Sequence, residues 1–183
     1  RENLLAQQTS LDLAKRALRL AGNVQAILID TILTDGQAPL GEDGGNVWMS
    51  GDVTLVLIDS EISLGTASEG YGGGVYCEDG GSVFVDIGSV LQANESLGGG
   101  GIYGNNCTLE IRGRIHDNSA SAAHGGGIYA GGGSSVSLFG PGIDDFYVLS
   151  SNLADWGGAG VYLAGAGTTA IARNVWIGGN VAN

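Results

Sequence analysis

Short runs in which apolar and polar residues alternate recur along the chain, and each run is followed by a glycine-rich or polar turn. Examples are VTLVLID at 53–59, SVFVDIG at 82–88 and TLEIRGR at 108–114. Alternation with a period of two residues is typical of β-strands that bury one face. The pattern therefore predicts an all-β chain made of short strands separated by tight turns.

A second motif, glycines followed by an aliphatic and an aromatic residue, returns at nearly even intervals. Its clearest copies are GGGVY at 72–76, GGGIY at 99–103 and GGGIY at 125–129, and GGNVW at 44–48 and GGAGVY at 157–162 are related. The aliphatic residues are Val47, Val75, Ile102, Ile128 and Val161, with steps of 28, 27, 26 and 33 residues. Such a period indicates a solenoid in which each repeat forms one coil.

Each repeat closes with an apolar residue followed three residues later by an asparagine. The asparagines are Asn94, Asn118, Asn152 and Asn180. The first two repeats have ILTD and ISLG at this place, so Asp35 and Gly65 depart from the pattern. We interpret the asparagines as a ladder along one corner, hydrogen-bonded between coils and to the turn backbone.

One repeat holds three short strands and cannot bury its own apolar face. Stacking the repeats buries that face and places the backbone hydrogen bonds between successive coils. The predicted fold is a single-stranded parallel β-helix of about six three-strand coils, spanning residues 22–183. The 33-residue step predicts an outward loop near residues 139–156.

Residues 1–21 break the strand pattern and are predicted to form a separate N-terminal segment. Leu11, Ala14 and Leu18 recur at helical spacing over 9–21, with Thr9 or Ser10 as a possible cap. We expect an amphipathic capping helix here, because a helix would cover the open first edge of the β-helix.

The composition narrows the classes of partner. The chain of 183 residues has a formal net charge of −12, which argues against binding to nucleic acid or to anionic membrane surfaces. The hydrophobic fraction of 43% is too high for a disordered linker, despite 35 glycines. No apolar run approaches the length needed to span a bilayer, so we expect no membrane insertion.

The paired Gly-Gly-x-[Ile/Val] and apolar-x-x-Asn motifs over about residues 44–183 resemble the repeats of the chlamydial polymorphic membrane proteins. They are also similar to other right-handed β-helix passengers of secreted and surface proteins. The resemblance implies a right-handed parallel β-helix. It also implies an extracellular or cell-surface location, with an adhesive or structural role.

The aromatic residues of the repeat predict a column on the outer face. Its members are Trp48, Tyr76, Tyr103, Tyr129 and Tyr162. Rings in register one coil apart can stack and stabilise the ladder, or the row can serve as a stripe that binds glycans or a partner.

Cys77 and Cys107 fall in the same corner loop of successive coils, within disulfide reach. A bond would support an oxidising compartment, and the alternative is two free thiols. Weak calcium candidates are the acid pairs Glu42–Asp43 and Glu78–Asp79, although a solvated acidic face is the simpler interpretation. We expect no other cofactor.

Many pectin-acting enzymes use a β-helix, and the one cluster of basic, imidazole and acidic side chains in the repeats is a candidate catalytic site. This cluster contains Arg112, Arg114, His116 and Asp117. The two arginines lie on one strand face and are most simply solubilising charges, and His116 and His124 are expected in exposed turns. We therefore expect no enzymatic activity, with a carbohydrate-active enzyme of the pectin-lyase-like group as the alternative.

The two ends of the predicted rod differ in charge. Residues 1–21 carry a net charge of +2 and the remainder −14. An uncovered coil presents unpaired backbone groups that recruit another chain. We expect a non-catalytic structural protein that associates end to end through its C-terminal coil, or a piece that continues into a longer β-helix. The alternative is an adhesin or glycan-binding passenger that contacts a host surface.

Overall fold

A computed structural model of the chain describes residues 2–7, 16–140 and 147–183, and these residues form β-strands and turns. The strands are β1 (Glu2–Gln7), β2 (Leu18–Ala21), β3 (Val24–Ile29), β4 (Ile32–Thr34), β5 (Val47–Ser50), β6 (Val53–Ile58), β7 (Glu61–Ser63), β8 (Thr66–Ala67), β9 (Val75–Glu78), β10 (Ser82–Val85), β11 (Val90–Gln92), β12 (Glu95–Ser96), β13 (Ile102–Asn105), β14 (Thr108–Ile111), β15 (Arg114–His116), β16 (Ser119–Ala120), β17 (Ile128–Gly131), β18 (Ser135–Phe139), β19 (Tyr147–Ser150), β20 (Leu153–Ala154), β21 (Val161–Leu163), β22 (Thr169–Arg173), β23 (Trp176–Gly178) and β24 (Val181–Ala182).

The strands build four parallel sheets that run along the length of a solenoid of about six turns. Sheet I holds β2, β5, β9, β13, β17 and β21, and sheet II holds β1, β3, β6, β10, β14, β18 and β22. Sheet III holds β4, β7, β11, β15, β19 and β23, and sheet IV holds β8, β12, β16, β20 and β24. The predicted all-β fold of stacked parallel coils is confirmed.

Sheet IV is the element that the sequence pattern did not predict, since three strands per coil were expected. Its strands have only two residues each and pair coil to coil, as in Glu95 with Ser119 and Ser96 with Ala120. Their second residues face inward and are small, and Ala67, Ser96 and Ala120 are fully buried. A two-residue strand is too short to show a period in the sequence.

The helix expected over 9–21 is wrong where the structure describes it. Leu18–Ala21 form strand β2, which pairs with β5 in sheet I. Glu2–Gln7 form a further strand that pairs with β3 in sheet II. Residues 8–15, which hold the rest of the predicted helix, lie outside the described residues. Pairing with an existing sheet edge satisfies the backbone of 18–21, and this outweighs the helical spacing of its leucines.

Part of the segment 139–156, which was predicted to be an outward loop, forms strands. Tyr147–Ser150 and Leu153–Ala154 are strands that continue sheets III and IV. Residues 141–146, which include most of the inserted segment, lie outside the described residues.

The core is a set of apolar columns, in which each inward side chain sits on its counterpart in the next coil. In sheet III the column contains Leu33, Ile62, Leu91, Ile115 and Leu149, each at most 4% exposed. Equivalent columns line sheets I and II, so the interior is apolar along its whole length. The buried polar residues lie at the corners, apart from Ser63 at the end of β7 and Ser96 in sheet IV.

The corner between sheets III and IV is turned by one residue in the left-handed conformation in each coil. These residues are Asp35, Leu64, Ala93, Asp117 and Ser151, with φ between 52° and 57°, and Gly179, with a φ of 67°. A side chain with a Cβ adopts this conformation only at a cost. Hydrogen bonds to the next coil hold the turn, and the amide of Leu64 donates to the carbonyl of Gln92 at 3.3 Å.

Candidate functional site

The asparagines form a continuous ladder inside the corner that follows sheet III. The Nδ2 of Asn94 donates to the Oδ1 of Asn118 at 2.9 Å, and the Nδ2 of Asn118 donates to the Oδ1 of Asn152 at 3.0 Å. The Nδ2 of Asn152 continues the chain to the Oδ1 of Asn180 at 2.9 Å. Each Oδ1 also accepts from a backbone amide of the preceding coil, such as that of Asn94 at 3.0 Å. The ladder therefore satisfies buried backbone groups that no strand pairing reaches.

A fifth rung comes from Asn46, which sequence reasoning did not assign to the ladder. The strand register aligns Gly65, and in the coil before it Gly36 rather than Asp35, with the position of Asn94. Asn46 lies in the glycine motif across the corner, and its Nδ2 donates to the Oδ1 of Asn94 at 3.2 Å. Its Oδ1 accepts from the amide of Gly36 at 2.9 Å. Asn46 thus fills the rung that Gly65 leaves empty.

The triple glycine has a different structural reason at each of its positions, as residues 99–101 illustrate. Gly99 has a φ of 65°, in the left-handed region. A side chain at Gly100 would collide with the carbonyl oxygen of Ser119. A Cβ at Gly101 would lie 3.2 Å from Cγ of Asn118, so this glycine makes room for the ladder amide. The glycines are therefore required by the turn and by the close approach of the neighbouring coils.

A second, shorter ladder of hydroxyl groups lies at the corner between sheets II and III. The amide of Thr31 donates to the Oγ of Ser60, and the amide of Ser60 donates to the Oγ of Ser89, both at 3.1 Å. All three residues are buried. In the sequence this ladder is visible only as three small polar residues at similar spacing.

Four of the five predicted column residues stack as expected on the outer side of sheet I. Ring centroids are 5.3 Å apart for Tyr76 and Tyr103, 4.5 Å for Tyr103 and Tyr129, and 5.5 Å for Tyr129 and Tyr162. Trp48 is instead covered by the guanidinium of Arg19, 4.6 Å from the ring centroid. The ring faces of the tyrosines are therefore turned toward one another.

Two further aromatic rings join this column from the residue before the glycine motif, and sequence reasoning missed both. Tyr71 leans over Gly98 of the next coil and stacks on Tyr103, with centroids 4.8 Å apart. His124 leans over Gly157 in the same way and stacks on Tyr162 at 3.9 Å. His124 was expected in an exposed turn, but it is half-buried and its Nδ1 is buried without a hydrogen-bond partner. The sequence feature that could have predicted these two rings is the alternation of an aromatic residue and a glycine at this position from coil to coil.

Burial in the column changes the acidity of two phenols. Burial raises the pKa of Tyr76 far above its ordinary value, and the charge of Asp43 and a 3.0 Å hydrogen bond to Glu78 act in the same direction. Burial, followed by the neighbouring Tyr129, raises the pKa of Tyr103 to about 12. Both hydroxyl groups thus stay protonated at physiological pH, because their surroundings disfavour the phenolate.

Cys77 and Cys107 form a disulfide that joins two successive coils in the interior. Their Cα atoms lie 6.4 Å apart, and the two residues are 0% and 3% exposed. Cys77 faces inward on β9, and its register partner on β13 is Gly104. A Cβ at Gly104 would lie 3.2 Å from Cδ1 of Leu109, so the glycine leaves space for this core leucine.

The four calcium candidates hold other partners. Glu42 pairs with Arg16 at 3.0 Å, and Asp43 accepts from the amide of Tyr71 at 2.8 Å. Glu78 accepts from Tyr76, and Asp79 accepts from the hydroxyl of Ser50 at 3.1 Å. Within the described residues, no group of three or more metal-ligating side chains comes together.

The structure divides the catalytic candidates between two sheets. Arg112 pairs with Glu110 at 2.9 Å and lies over the ring of Phe139, on the side of sheet II. His116 contacts Asp117 at 2.7 Å at the end of sheet III, and Arg114 is exposed on the same strand. No contact among the described residues joins these two groups. A depression of about 630 Å³ lies elsewhere, beside Arg16, Arg19 and Leu40.

Comparison of the chain with protein-family models, with curated proteins and with solved structures finds no match. None of the described residues forms a helix that is long and apolar enough to cross a membrane.

Proposed function

We propose that this chain is a non-catalytic structural protein, a rigid β-solenoid displayed outside the cell or on its surface. The observation that carries the proposal is that its aromatic and asparagine columns run from coil to coil and use their own neighbours as partners. Ring faces stack on rings, and ladder amides bond to ladder amides. Such columns stabilise a rod. Because their side chains are paired with one another, few of their polar groups remain to take part in a reaction.

The disulfide supports the proposed location outside the cell or on its surface. Disulfides persist in oxidising compartments and are rare where thiols are kept reduced. The buried bond between Cys77 and Cys107 therefore favours an extracellular or surface site. A relationship to the chlamydial polymorphic membrane proteins is part of this proposal, supported by the glycine and asparagine motifs.

The last coil supports association at its end. Strands β21 to β24 form the C-terminal edge of all four sheets in the described chain. Ile177, whose counterpart Leu149 is fully buried in the coil before, is 45% exposed on this edge. We propose that a coil of a second copy pairs here, because unpaired strand edges with apolar side chains recruit further strands. Such a contact is heterologous and can extend into a fibre.

Negative-stain electron microscopy and sedimentation across a dilution series test this proposal. We expect thin rods that lengthen with concentration, and we expect Ile177→Lys to remain monomeric. Ile87→Lys is the matched control, because Ile87 is 57% exposed but lies away from this edge. Monomers at every concentration would contradict the proposed end-to-end contact. Cleavage of a polysaccharide that Arg112→Ala abolishes would overturn the non-catalytic role.

Adhesion through a glycan is a second candidate, favoured by one residue. Trp156 is 70% exposed and stands edge-on to His124, with centroids 5.8 Å apart and planes at 74°. Its free ring face is a surface on which a sugar could stack, unlike the faces inside the column. Binding to a glycan array that Trp156→Ala abolishes, while Trp48→Ala retains it, would support this candidate.

A further inference from the structure

The chain contains two Asn-x-Ser/Thr sequences, and one is exposed to solvent whereas the other is buried. They are Asn94-Glu95-Ser96 and Asn106-Cys107-Thr108. This tripeptide is the acceptor sequence for asparagine-linked glycosylation, which requires an accessible asparagine and an accessible hydroxyl residue. Location in the fold therefore decides which of the two can carry a sugar in the folded protein.

Asn106 lies on the open corner between β13 and β14. Its backbone is fixed, because its amide donates to the carbonyl of Gly131 at 3.0 Å and its carbonyl accepts from Gly80 at 2.8 Å. Its φ of 58° turns the chain, and the residue is exposed. Within the described residues, its side-chain amide makes no hydrogen bond.

The two recognition residues of this sequence face the same way. Thr108 is exposed, whereas Cys107 between them is 3% exposed and bonded to Cys77 in the core. The disulfide therefore holds the middle residue inward and leaves Asn106 and Thr108 on the surface.

The corner around Asn106 also has room for a bulky group. The neighbouring coils have glycines here, and an added Cβ at Gly80 or Gly133 would meet nothing within 4 Å. Because Asn106 and Thr108 are both exposed, a sugar attached to the Asn106 amide would extend into solvent.

Asn94 is the opposite case. It is 1% exposed, and its Nδ2 donates to the carbonyl of Ile62 at 3.1 Å and to the Oδ1 of Asn118 at 2.9 Å. Both hydrogens of the amide are used, and Ser96 is fully buried. A sugar on Asn94 would break the ladder and block the stacking of the next coil.

We propose that Asn106 is a site of asparagine-linked glycosylation and that Asn94 is not. The donor is an oligosaccharide linked to a lipid through a diphosphate. Nδ2 of Asn106 forms a bond to the anomeric carbon, the bond from that carbon to the diphosphate oxygen breaks, and the lipid diphosphate leaves. The proton lost from Nδ2 goes to a base of the transferase. The inference rests on the proposed extracellular location, because this transfer occurs on the secretory route.

The test is to express the full chain through a eukaryotic secretory pathway and to map its peptides by mass spectrometry. Treatment with a glycan-releasing amidase in ¹⁸O-water converts a modified asparagine to labelled aspartate. We expect the label at Asn106 alone. Thr108→Ala should abolish it and Thr108→Ser should retain it, whereas Ser96→Ala should leave it unchanged. Both secreted and retained fractions are mapped, so a variant that folds poorly still gives an answer.

The disulfide state of the same peptides separates this inference from the proposed function. Unmodified Asn106 in secreted chains with Cys77 bonded to Cys107 would overturn the glycosylation site and leave the extracellular role intact. A label at Asn94 in folded, secreted chains would also overturn the inference. Retained chains with free thiols and no sugar would count against both proposals.

Discussion

Asn46 donates a side-chain hydrogen bond to Asn94, although the two residues occupy different places in their coils. Asn46 precedes a strand of sheet I, and Asn94 follows a strand of sheet III. Two positions face each other across this corner, and one asparagine fills the space between them. Where the asparagine is Asn94, the facing residue is Gly74, and where it is Asn46, the facing residue is Gly65. The ladder therefore continues through this coil, although its asparagine comes from a different position in the repeat.

Removing a central rung should destabilise the protein strongly. Asn118→Ala would remove the acceptor of the buried backbone amide of Asn94 and one of the two acceptors of the Asn94 Nδ2. We expect the free energy of unfolding, measured by urea denaturation, to fall by about 3 kcal/mol or more. Asn183→Ala is the control, because that side chain makes one exposed contact of 3.4 Å, and its effect should stay within about 0.5 kcal/mol. Equal effects of the two substitutions would contradict a structural role for the ladder.

The repeat and its fold could be predicted because the glycine motif marks the same point of every coil. Features that depend on contact between coils were harder to find. Asn46 was missed because alignment by motif places it among glycines, and only the register shows that it faces Gly65. Tyr71 and His124 were missed because their partners lie one coil further along. Leu18 had helical spacing to its neighbours, but pairing with β5 decided its conformation.

The left-handed corner residues offer a route to stabilisation. Leu64 has a φ of 54°, and it is 52% exposed, so it has little packing to lose. Asparagine tolerates this conformation better than leucine, and we expect Leu64→Asn to raise the free energy of unfolding by about 1 kcal/mol. Leu40→Asn is the control, since Leu40 is 82% exposed without a positive φ. A loss of stability in Leu64→Asn, measured by thermal and urea unfolding, would show that the strain is negligible.

The disulfide should contribute to stability and resist reduction in the folded state. It closes a loop with a sequence separation of 30 residues, for which loop-closure entropy gives about 3 to 4 kcal/mol. We expect the Cys77→Ala and Cys107→Ala double variant to lose about this amount in urea unfolding. Because both sulfurs are buried, a mild reductant should open the bond in the wild-type protein only after denaturant is added. Rapid labelling of both thiols without denaturant would contradict the buried position.

The tyrosine column predicts a loss of stability in alkali. The pKa of Tyr103 is raised to about 12 in the folded protein, against about 10 for an unfolded chain. A folded-state pKa above the unfolded value means that the stabilisation is fully present below pH 10 and is lost as the pH rises toward 12. Urea unfolding at steps across this window should therefore give a falling free energy. Tyr103→Phe keeps the stacked ring without the hydroxyl, so its stability should fall less steeply over the same range. Some decline should remain in this variant, because burial also raises the pKa of Tyr76. Parallel curves for the variant and the wild-type protein would show that Tyr103 ionises without cost in the column.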